Sequence, residues 1–233
     1  MRAIHDNLQA VLGRITRAAQ AAGRAPADVT LLAVSKTHPA ALVGEALAAG
    51  QRAFGENYVQ EAVEKMDALA GAALDWHMIG PLQSNKTRIV AERFQWVHSV
   101  ESEKIARRLS QQRPAALPAL NVLIQVNVSG EASKSGVAPE AVAGLAVAIA
   151  SLPGLKLRGL MAIPEPTTDV ALQRSRFASL KGIFDALKSN RFELDTLSMG
   201  MSDDMEAAIA AGATMVRIGT AIFGARQNVR SAA

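Results

Sequence analysis

One lysine of this sequence follows the first stretch that has the residue pattern of a β-strand. Leu32, Val34 and Lys36 alternate with a period of two, so their side chains share one face of an extended strand. If that face lines a protein interior, burial lowers the lysine pKa because it disfavours the charged ammonium form. An amine that is neutral part of the time can attack a carbonyl carbon. The pattern therefore indicates a candidate nucleophile, and the alternative is a lysine that leaves the strand end into solvent.

A second group of polar residues is typical of an anion site. In SMGMSDDME at 198–206, glycine allows the backbone to approach a ligand, and the serines supply hydroxyl donors just before a helix. Ser202 is the candidate binding residue. The alternative is an ordinary helix start, in which Ser202 or Asp203 is the cap and Asp203 forms a capping box with Glu206. Two adjacent aspartates also oppose an anion at this position, so both interpretations stay open.

The third segment, VRIGTAIFG at 216–224, contains the end of the last predicted strand. We expect Arg217 to face the same site, with a backbone amide at Gly219 and a hydroxyl at Thr220. The alternative is an arginine that forms a salt bridge at the rim, with a glycine that only turns the chain. Together with Lys36, these groups suit a ligand that carries both an aldehyde and a phosphate, such as pyridoxal 5′-phosphate (PLP). A class I aldolase-like site for a sugar phosphate explains the same residues equally well.

The elements that must position these residues alternate regularly along the chain. Leu8, Val11, Leu12 and Ile15 recur at helical spacing and predict an opening amphipathic helix within 1–24. Strands are predicted at 30–35, 52–55, 75–79, 96–99, 121–128, 156–162, 194–197 and 214–218. Helices are predicted between them at 39–49, 58–69, 102–112, 139–151, 170–189 and 203–211. Strands that alternate with helices pair in parallel through right-handed crossovers.

Two architectures fit this alternation, a closed eight-stranded barrel and an open doubly wound sheet. The open sheet is usually marked by a GxGxxG loop after its first strand, whereas here the strand runs into VSKTHP at 34–39. We therefore predict an α/β fold with a single TIM-type (β/α)8 barrel domain over 1–233, an extra N-terminal helix at 1–24 and a short tail at 225–233. In such a barrel, active sites lie at the carboxyl ends of the strands, and phosphates often bind after the seventh and eighth strands.

The composition argues against several classes of function. The 233 residues are 49% hydrophobic and lack cysteine, which supports a buried core and excludes disulfides, thiol nucleophiles and cysteine-ligated metals. The net charge of +4 is spread thinly and only 4% of the residues are aromatic, so nucleic-acid binding is unsupported. The longest apolar run, at 141–150, is about half the length of a membrane span. We expect a cytoplasmic protein with no membrane segment, no nucleic-acid partner and no metal site.

Eight sequence blocks together resemble one protein family. They read LLAVSKTHP at 31–39, FGENYVQE at 54–61, WHMIGPLQSNK at 76–86, HSVES at 98–102, QVNVSGEASKSGV at 125–137, LRGLMAIP at 157–164, LSMGMSDDMEAAI at 197–209 and GATMVRIGTAIFGAR at 212–226. In this order they cover almost the whole chain, which is similar to the pyridoxal phosphate homeostasis proteins. The resemblance implies an alanine racemase-like barrel of fold type III. It also implies a protein that holds PLP as a Schiff base and acts in vitamin B6 and amino-acid homeostasis, with no established turnover.

The resemblance implies a role for each matching residue of the expected site. Lys36 corresponds to the lysine that forms the covalent aldimine with PLP. Ser202, Gly219 and Thr220 correspond to the phosphate-binding positions. Arg217 corresponds to the arginine that faces the pyridine nitrogen.

Further residues are expected to surround the cofactor. Asn57 and Met161, at the ends of the second and sixth strands, are expected to flank the cofactor ring, with Ser198 near the phosphate positions. His77 is expected to pack within its strand rather than perform acid–base chemistry. No residue is assigned a catalytic role.

Physical chemistry and the resemblance agree that catalytic turnover should be slow. A permanently charged guanidinium at Arg217 disfavours protonation of the pyridine nitrogen, and a neutral pyridine is a poor electron sink. Racemases of this fold use a second base, a tyrosine from an additional β-domain. Here the sole tyrosine is Tyr58, and the sequence ends at residue 233, nine residues after Gly224. We therefore expect a monomeric carrier that passes PLP to PLP-dependent apoenzymes, and the alternative is a weakly active PLP-dependent amino-acid enzyme such as a racemase.

Overall fold

Eight parallel strands pair in chain order and close into a barrel. The computed structural model describes residues 2–129 and 135–225, so part of the 125–137 block and all but the first residue of the predicted tail lie outside the described residues. The strands are β1 Thr30–Val34, β2 Ala53–Glu56, β3 Asp75–Met78, β4 Trp96–Val100, β5 Leu120–Gln125, β6 Leu155–Met161, β7 Thr196–Ser198 and β8 Met215–Ile218. β1 closes the ring by pairing with β8, where Leu32 lies opposite Arg217. The predicted eight-stranded α/β barrel is confirmed, with strand ends within three residues of those expected.

Helices connect successive strands, and an additional helix precedes the first strand. They are α1 Arg2–Ala21, α2 Ala40–Ala48, α3 Val59–Ala68, α4 Thr87–Arg93, α5 Glu103–Gln112, α6 Val142–Ala150, α7 Val170–Ser189, α8 Met205–Ala210 and α9 Thr220–Phe223. The N-terminal helix is confirmed, because Leu8, Val11 and Ile15 are buried where α1 packs on α8 and α9. α4 and α9 were not among the predicted helices, and α9, with four residues, is only about one helical turn long. Within the described ranges, no helix is both long and apolar enough to span a membrane.

The start of α8 differs from the sequence expectation. The helix begins at Met205, and the side chain of Asp204, the residue before it, does not cap it. Instead, Asp204 Oδ1 accepts a hydrogen bond from the Met201 N–H at 2.6 Å and closes a turn ahead of the helix. Glu206 pairs with Arg14 of α1. The capping box considered between Asp203 and Glu206 is therefore wrong, because a tertiary partner takes the glutamate.

The barrel interior is divided into an apolar half and a polar half. Leu32, Val34, Ile79 and Met215, from β1, β8 and the end of β3, form a small apolar cluster that is separate from the main core between barrel and helices. The polar half contains buried side chains of β3, β4, β7 and β8, namely His77, His98, Ser198 and Arg217. Successive residues of a strand point to opposite faces of the sheet. In β1, Leu31 and Ala33 therefore point towards the helices. The four polar side chains occupy positions of their own strands that point into the barrel.

Candidate functional site

A cavity of about 530 Å³ opens at the carboxyl ends of the strands. Six of the seven residues expected from the sequence line it, namely Lys36, Asn57, Ser202, Arg217, Gly219 and Thr220. Three apolar residues, Val34, Ile79 and Ile163, form part of the same wall. Among the expected residues, the barrel therefore brings together one amine, one guanidinium and several short polar groups that lie far apart in the sequence.

A second cavity of about 570 Å³ lies at the opposite, amino ends of the strands. Several of its charged side chains pair with groups of the protein itself. Arg158 Nη2 lies 2.6 Å from Asp195 Oδ2, and Arg24 Nη1 donates to the carbonyl oxygens of Ile209 and Ala213. Burial alone would raise the pKa of Asp195, but the hydrogen bonds from Arg158 outweigh it and lower that pKa. This cavity is larger, but its charges stabilise the barrel, and active sites of such barrels lie at the other end.

Lys36 lies in a tight turn two residues beyond the end of β1. Its side chain is half-buried and lines the cavity at the carboxyl ends. The next residue, Thr37, has φ of 66°, in the left-handed region that is rare for residues other than glycine. The N–H of His38 donates to the carbonyl oxygen of Ser35 at 3.1 Å and closes the turn. Such backbone strain persists only where surrounding contacts enforce it.

A buried network of charges supplies those contacts. Lys65 Nζ of α3 lies 2.7 Å from both the carbonyl oxygen of Ser35 and Glu56 Oε1, and 2.6 Å from Glu61 Oε1. Glu61 Oε1 also accepts from the Thr37 N–H at 2.5 Å, and Ser35 Oγ donates to Glu56 Oε1 at 2.6 Å. Burial raises the pKa of Glu56, although the Lys65 ammonium opposes that change. The network thus holds the backbone immediately before and after Lys36.

Arg217 lies at the floor of the same cavity and is almost completely buried. Its Nη1 donates to the carbonyl oxygen of Ser198 at 2.7 Å and to Ser198 Oγ at 2.8 Å, and its Nη2 donates to the carbonyl oxygen of Ala162 at 2.8 Å. Burial lowers the pKa of Arg217 to about 10, with Asp204 opposing the change, so the guanidinium stays charged at neutral pH. Its acceptors are the carbonyl and hydroxyl of Ser198 in β7 and the carbonyl of Ala162, the residue after β6, in place of the rim salt bridge considered from the sequence.

Short polar groups of the loops after β7 and β8 form the other side of the cavity. Gly219 approaches β1 so closely that a Cβ atom there would lie 3.1 Å from the carbonyl oxygen of Val34. Thr220 begins α9, where the first backbone N–H groups of a helix have no carbonyl of that helix to bond. Ser202 contributes its hydroxyl from the β7 loop. Of the two neighbouring aspartates, Asp203 lines the cavity, whereas Asp204 is turned to the Met201 N–H and its pKa is raised by burial.

Arg14 of α1 also lines this cavity and was not identified from the sequence. Its Nη2 donates to the carbonyl oxygen of Ser202 at 3.0 Å, and its Nε donates to Glu206 Oε1 at 3.0 Å. The only local signal was its position at the edge of the apolar stripe of α1, between Val11 and Ile15. That signal does not separate a site residue from any other arginine beside a buried face.

Of the two residues expected to flank a cofactor ring, one lines the cavity and the other does not. Asn57 follows β2 directly and lines the cavity, and its Oδ1 is buried with no hydrogen-bond partner in the described part of the chain. Met161 is the last residue of β6 and is completely buried. Ile163, two residues further along, forms the cavity wall on that side.

The histidines lie away from this cavity or beneath it. His77 and His98 are buried inside the barrel, where His77 Nδ1 lies 2.9 Å from His98 Nε2. His38 stacks on Phe223 with ring centroids 5.3 Å apart, and His5 is exposed on α1. Among residues 2–129 and 135–225, no three histidine, aspartate or glutamate side chains converge in a way that could hold a metal ion.

Known proteins resemble this chain along nearly its whole length. The sequence model of the alanine racemase N-terminal domain family matches residues 7–227. A pyridoxal phosphate homeostasis protein from Pseudomonas aeruginosa is 65% identical over 226 residues, which are 97% of each chain. The chain belongs to the pyridoxal phosphate homeostasis protein family. The resemblance found in the sequence blocks is therefore confirmed.

Solved structures agree with this family membership. PipY of Synechococcus elongatus, with PLP bound, superposes with a TM-score of 0.83 at 37% identity and covers 95% of this chain and 100% of its own. An alanine racemase from Corynebacterium glutamicum gives a TM-score of 0.74 at 18% identity, over 96% of this chain and 61% of its own. The second likeness concerns the fold alone. This member of the pyridoxal phosphate homeostasis protein family therefore has the alanine racemase-like barrel predicted from its sequence.

Proposed function

We propose that this protein binds PLP in the cavity at the carboxyl ends of the strands and acts in PLP homeostasis. The observation that carries the proposal is the single cavity that contains Lys36, Arg217 and the polar loops after β7 and β8. The relative in Pseudomonas aeruginosa is named a pyridoxal phosphate homeostasis protein, and PipY was solved with PLP bound. Both observations support PLP as the ligand over a sugar phosphate.

The residues of the cavity fit the functional groups of PLP. An aldehyde suits the amine of Lys36, and a phosphate dianion suits the hydroxyls of Ser202 and Thr220. Arg14 adds a positive charge on the same side of the cavity. The unpartnered Oδ1 of Asn57 offers an acceptor to a ligand hydroxyl. A buried polar atom without a partner is unfavourable, so a ligand that supplies a donor would stabilise this wall.

The proposed roles follow from the charges of these groups. PLP supplies an aldehyde that condenses reversibly with amines, and we assign the protein end of the resulting Schiff base to Lys36 Nζ. Arg217 would face the pyridine nitrogen and disfavour its protonation, since two adjacent cations repel. A neutral ring is a poor electron sink, so the protein would hold PLP without converting amino acids. Another amine could then displace Lys36 and carry the cofactor away.

Three further expectations belong to the same proposal. The recipients would be PLP-dependent apoenzymes, the protein would act as a monomer, and it would work in the cytoplasm. A weakly active amino-acid enzyme such as a racemase is the competing function. Exchange of the amino-acid α-proton in deuterated buffer separates the two, because a rate well above that of free PLP would contradict a pure carrier.

The first experiment is a visible absorption spectrum of the purified protein before and after borohydride reduction, with peptide mapping of the reduced protein. We expect a yellow protein whose pyridoxyl label maps to Lys36. A colourless protein that gains no visible band with added PLP would overturn the proposal and favour the aldolase-like alternative. A label on another lysine would keep the ligand and contradict the attachment site.

A further inference from the structure

A chain of hydrogen bonds crosses the polar half of the barrel interior. Arg217 Nη1 lies 2.8 Å from Ser198 Oγ, which lies 3.1 Å from His98 Nδ1. His98 Nε2 in turn lies 2.9 Å from His77 Nδ1. All four side chains are at most 3% exposed. The chain therefore leads from the floor of the PLP cavity into the centre of the barrel.

The far end of the chain is anchored at the amino ends of the strands. The ring of His77 stacks on Trp96, with centroids 5.2 Å apart and an interplanar angle of 7°. The guanidinium of Arg158 lies 4.7 Å from the Trp96 ring centroid and is held by Asp195. His77 also lines the cavity at this end of the barrel. The chain thus has a fixed aromatic and ionic support at one end and Arg217 at the other.

Neither histidine of the chain is charged at neutral pH. Burial lowers the pKa of His77 to about 3. Burial also holds the pKa of His98 well below its ordinary 6.5, and the positive charge of Arg217 acts in the same direction. A neutral imidazole has one donor nitrogen and one acceptor nitrogen. The proton positions of the chain can therefore be derived from its donors and acceptors.

The derivation starts at Arg217, because a guanidinium only donates. Ser198 Oγ must accept from Arg217, which leaves the Ser198 O–H to donate to His98 Nδ1. His98 then carries its proton on Nε2 and donates it to Nδ1 of His77, which carries its own proton on Nε2. The opposite arrangement would leave the buried Ser198 O–H without the acceptor at 3.1 Å, and an unsatisfied buried donor is costly.

We propose that Ser198, His98 and His77 are positioning residues for Arg217, and that their aligned hydrogen bonds hold its guanidinium as a charged donor at the floor of the PLP cavity. Every acceptor of the chain points towards Arg217, so the aligned dipoles stabilise its charge. Packing alone does not require these polar side chains, because Leu32, Val34, Ile79 and Met215 fill the other half of the interior. The effect on the ring nitrogen of PLP rests on the proposed function. The proton positions along the chain and the fixed orientation of the Arg217 guanidinium do not depend on it.

The first test uses the apoprotein and needs no cofactor. Nitrogen-15 NMR of the histidine rings should show both His77 and His98 as neutral tautomers protonated at Nε2. A proton on Nδ1 of either ring would overturn the proposed direction of the chain. The exposed ring of His5 serves as the reference for rapid exchange with solvent.

The second test breaks the chain at its centre. In apoprotein His98→Leu we expect the guanidinium N–H signals of Arg217 to weaken through faster exchange with solvent, because the Ser198 hydroxyl is no longer oriented and only the carbonyl acceptors of Ser198 and Ala162 remain. His98→Gln should restore them, because a Gln side chain can accept from Ser198 and donate to His77. Val97→Ala is the matched control, since Val97 is a buried neighbour in β4 whose side chain faces the helices and whose loss lowers stability only.

The third measurement adds labelled PLP. In His98→Leu, PLP should bind roughly tenfold more weakly and its ring nitrogen-15 shift should move towards the protonated value, whereas His98→Gln and Val97→Ala should resemble the parent protein. If His98→Leu matches Val97→Ala in Arg217 signals and in nitrogen shift, the chain only fills the barrel and the proposal is wrong. If the parent protein fails to bind PLP, the proposed function fails, and the apoprotein signals alone decide the positioning role.

Discussion

Lys65 Nζ lies 2.7 Å from the carbonyl oxygen of Ser35, the residue immediately before Lys36. This bond joins α3 to the turn that presents the candidate nucleophile. Lys65 also pairs with Glu56, and the two side chains are 4% and 0% exposed. The ion pair that holds the turn is therefore shielded from solvent, and it cannot lose one partner without leaving the other charge buried.

Lys65→Met should lower the free energy of unfolding by about 3–5 kcal/mol at neutral pH, the usual effect of removing one partner of a buried ion pair. Without Lys65, burial raises the pKa of Glu56 further. A carboxyl whose pKa is higher in the folded protein than in the unfolded chain lowers the free energy of unfolding once the pH exceeds its pKa in the unfolded chain. The free energy lost in Lys65→Met should therefore be smaller near pH 5 than near pH 8. Urea unfolding at both pH values measures this. Lys181→Met, which removes an exposed pair with Asp185, is the control, and an equal effect of the two variants would contradict the role of Lys65.

Lys36→Ala should abolish the visible absorption of the protein loaded with PLP. The polar loops after β7 and β8 would still bind the phosphate, so weak non-covalent binding should remain measurable by equilibrium dialysis. Lys104→Ala, which removes an exposed lysine of α5, should leave the spectrum unchanged. If Lys36→Ala keeps the same chromophore, the attachment lies on another lysine.

Arg217→Glu should favour protonation of the pyridine nitrogen, because a carboxylate replaces the guanidinium at the floor of the cavity. A protonated ring is a better electron sink, so transfer of the amino group from alanine to bound PLP should accelerate. Loss of the PLP absorbance band during incubation with alanine measures this. Arg217→Gln, which removes the positive charge without adding a negative one, should show a smaller increase. Unchanged amino-group transfer in Arg217→Glu would refute the role assigned to Arg217.

Arg14→Ala should weaken PLP binding roughly threefold to tenfold, the scale of one ordinary hydrogen bond, because Glu206 already pairs with the Arg14 guanidinium. The variant loses a positive charge beside the phosphate side of the cavity, and it frees the carbonyl oxygen of Ser202 from its 3.0 Å hydrogen bond. Fluorescence titration with PLP provides the dissociation constant. Arg17→Ala changes an exposed arginine of the same helix and should bind PLP normally, so equal affinities of the two variants would exclude Arg14 from the site.

The free energy of unfolding should fall as the pH falls below about 6.5, the ordinary pKa of histidine. The pKa of His77 in the folded protein is about 3, so the unfolded chain binds more protons between these values and acid favours it. His77→Phe keeps an aromatic ring against Trp96 but removes one proton-binding group. Below pH 6, the free energy of unfolding of this variant should therefore change less steeply with pH, by about 1.4 kcal/mol per pH unit. Urea unfolding from pH 5 to pH 8 tests this, with His5→Gln as the exposed control. Equal slopes in His77→Phe and the parent protein would show that His77 is not held neutral.

The barrel was predictable because its signals are local. A short run of β-favouring residues at 30–35 and seven similar stretches separate the strands from the helices, and a helix-length segment between successive strands favours parallel crossovers. The start of α8 was not predictable to the residue. A capping box needs Glu206 for the helix itself, and Arg14, far away in the chain, pairs with that side chain instead.

Some residues of the candidate site were likewise predictable from the sequence, and others were not. Lys36, Arg217, Gly219 and Thr220 lie at or just after predicted strand ends, and Ser202 lies in the loop after the seventh predicted strand. All strand ends of one type meet on one face of a parallel barrel. Arg14 comes from a helix outside the barrel repeat, so no strand-end rule points to it. The resemblance implies that Met161 flanks the ring; in the structure Met161 is completely buried at the end of β6, and Ile163 lines the cavity on that side.

The sequence by itself determined the alternation of strands and helices, the N-terminal helix and the strand ends to within three residues, because these depend on residue patterns within short segments. The tertiary structure alone decided which distant polar atoms meet. Arg14 reaches Ser202 across 188 positions, and His98 reaches Ser198 across 100. A buried hydrogen bond requires an atomic separation near 3 Å, and only closure of the barrel sets such a separation between residues so far apart.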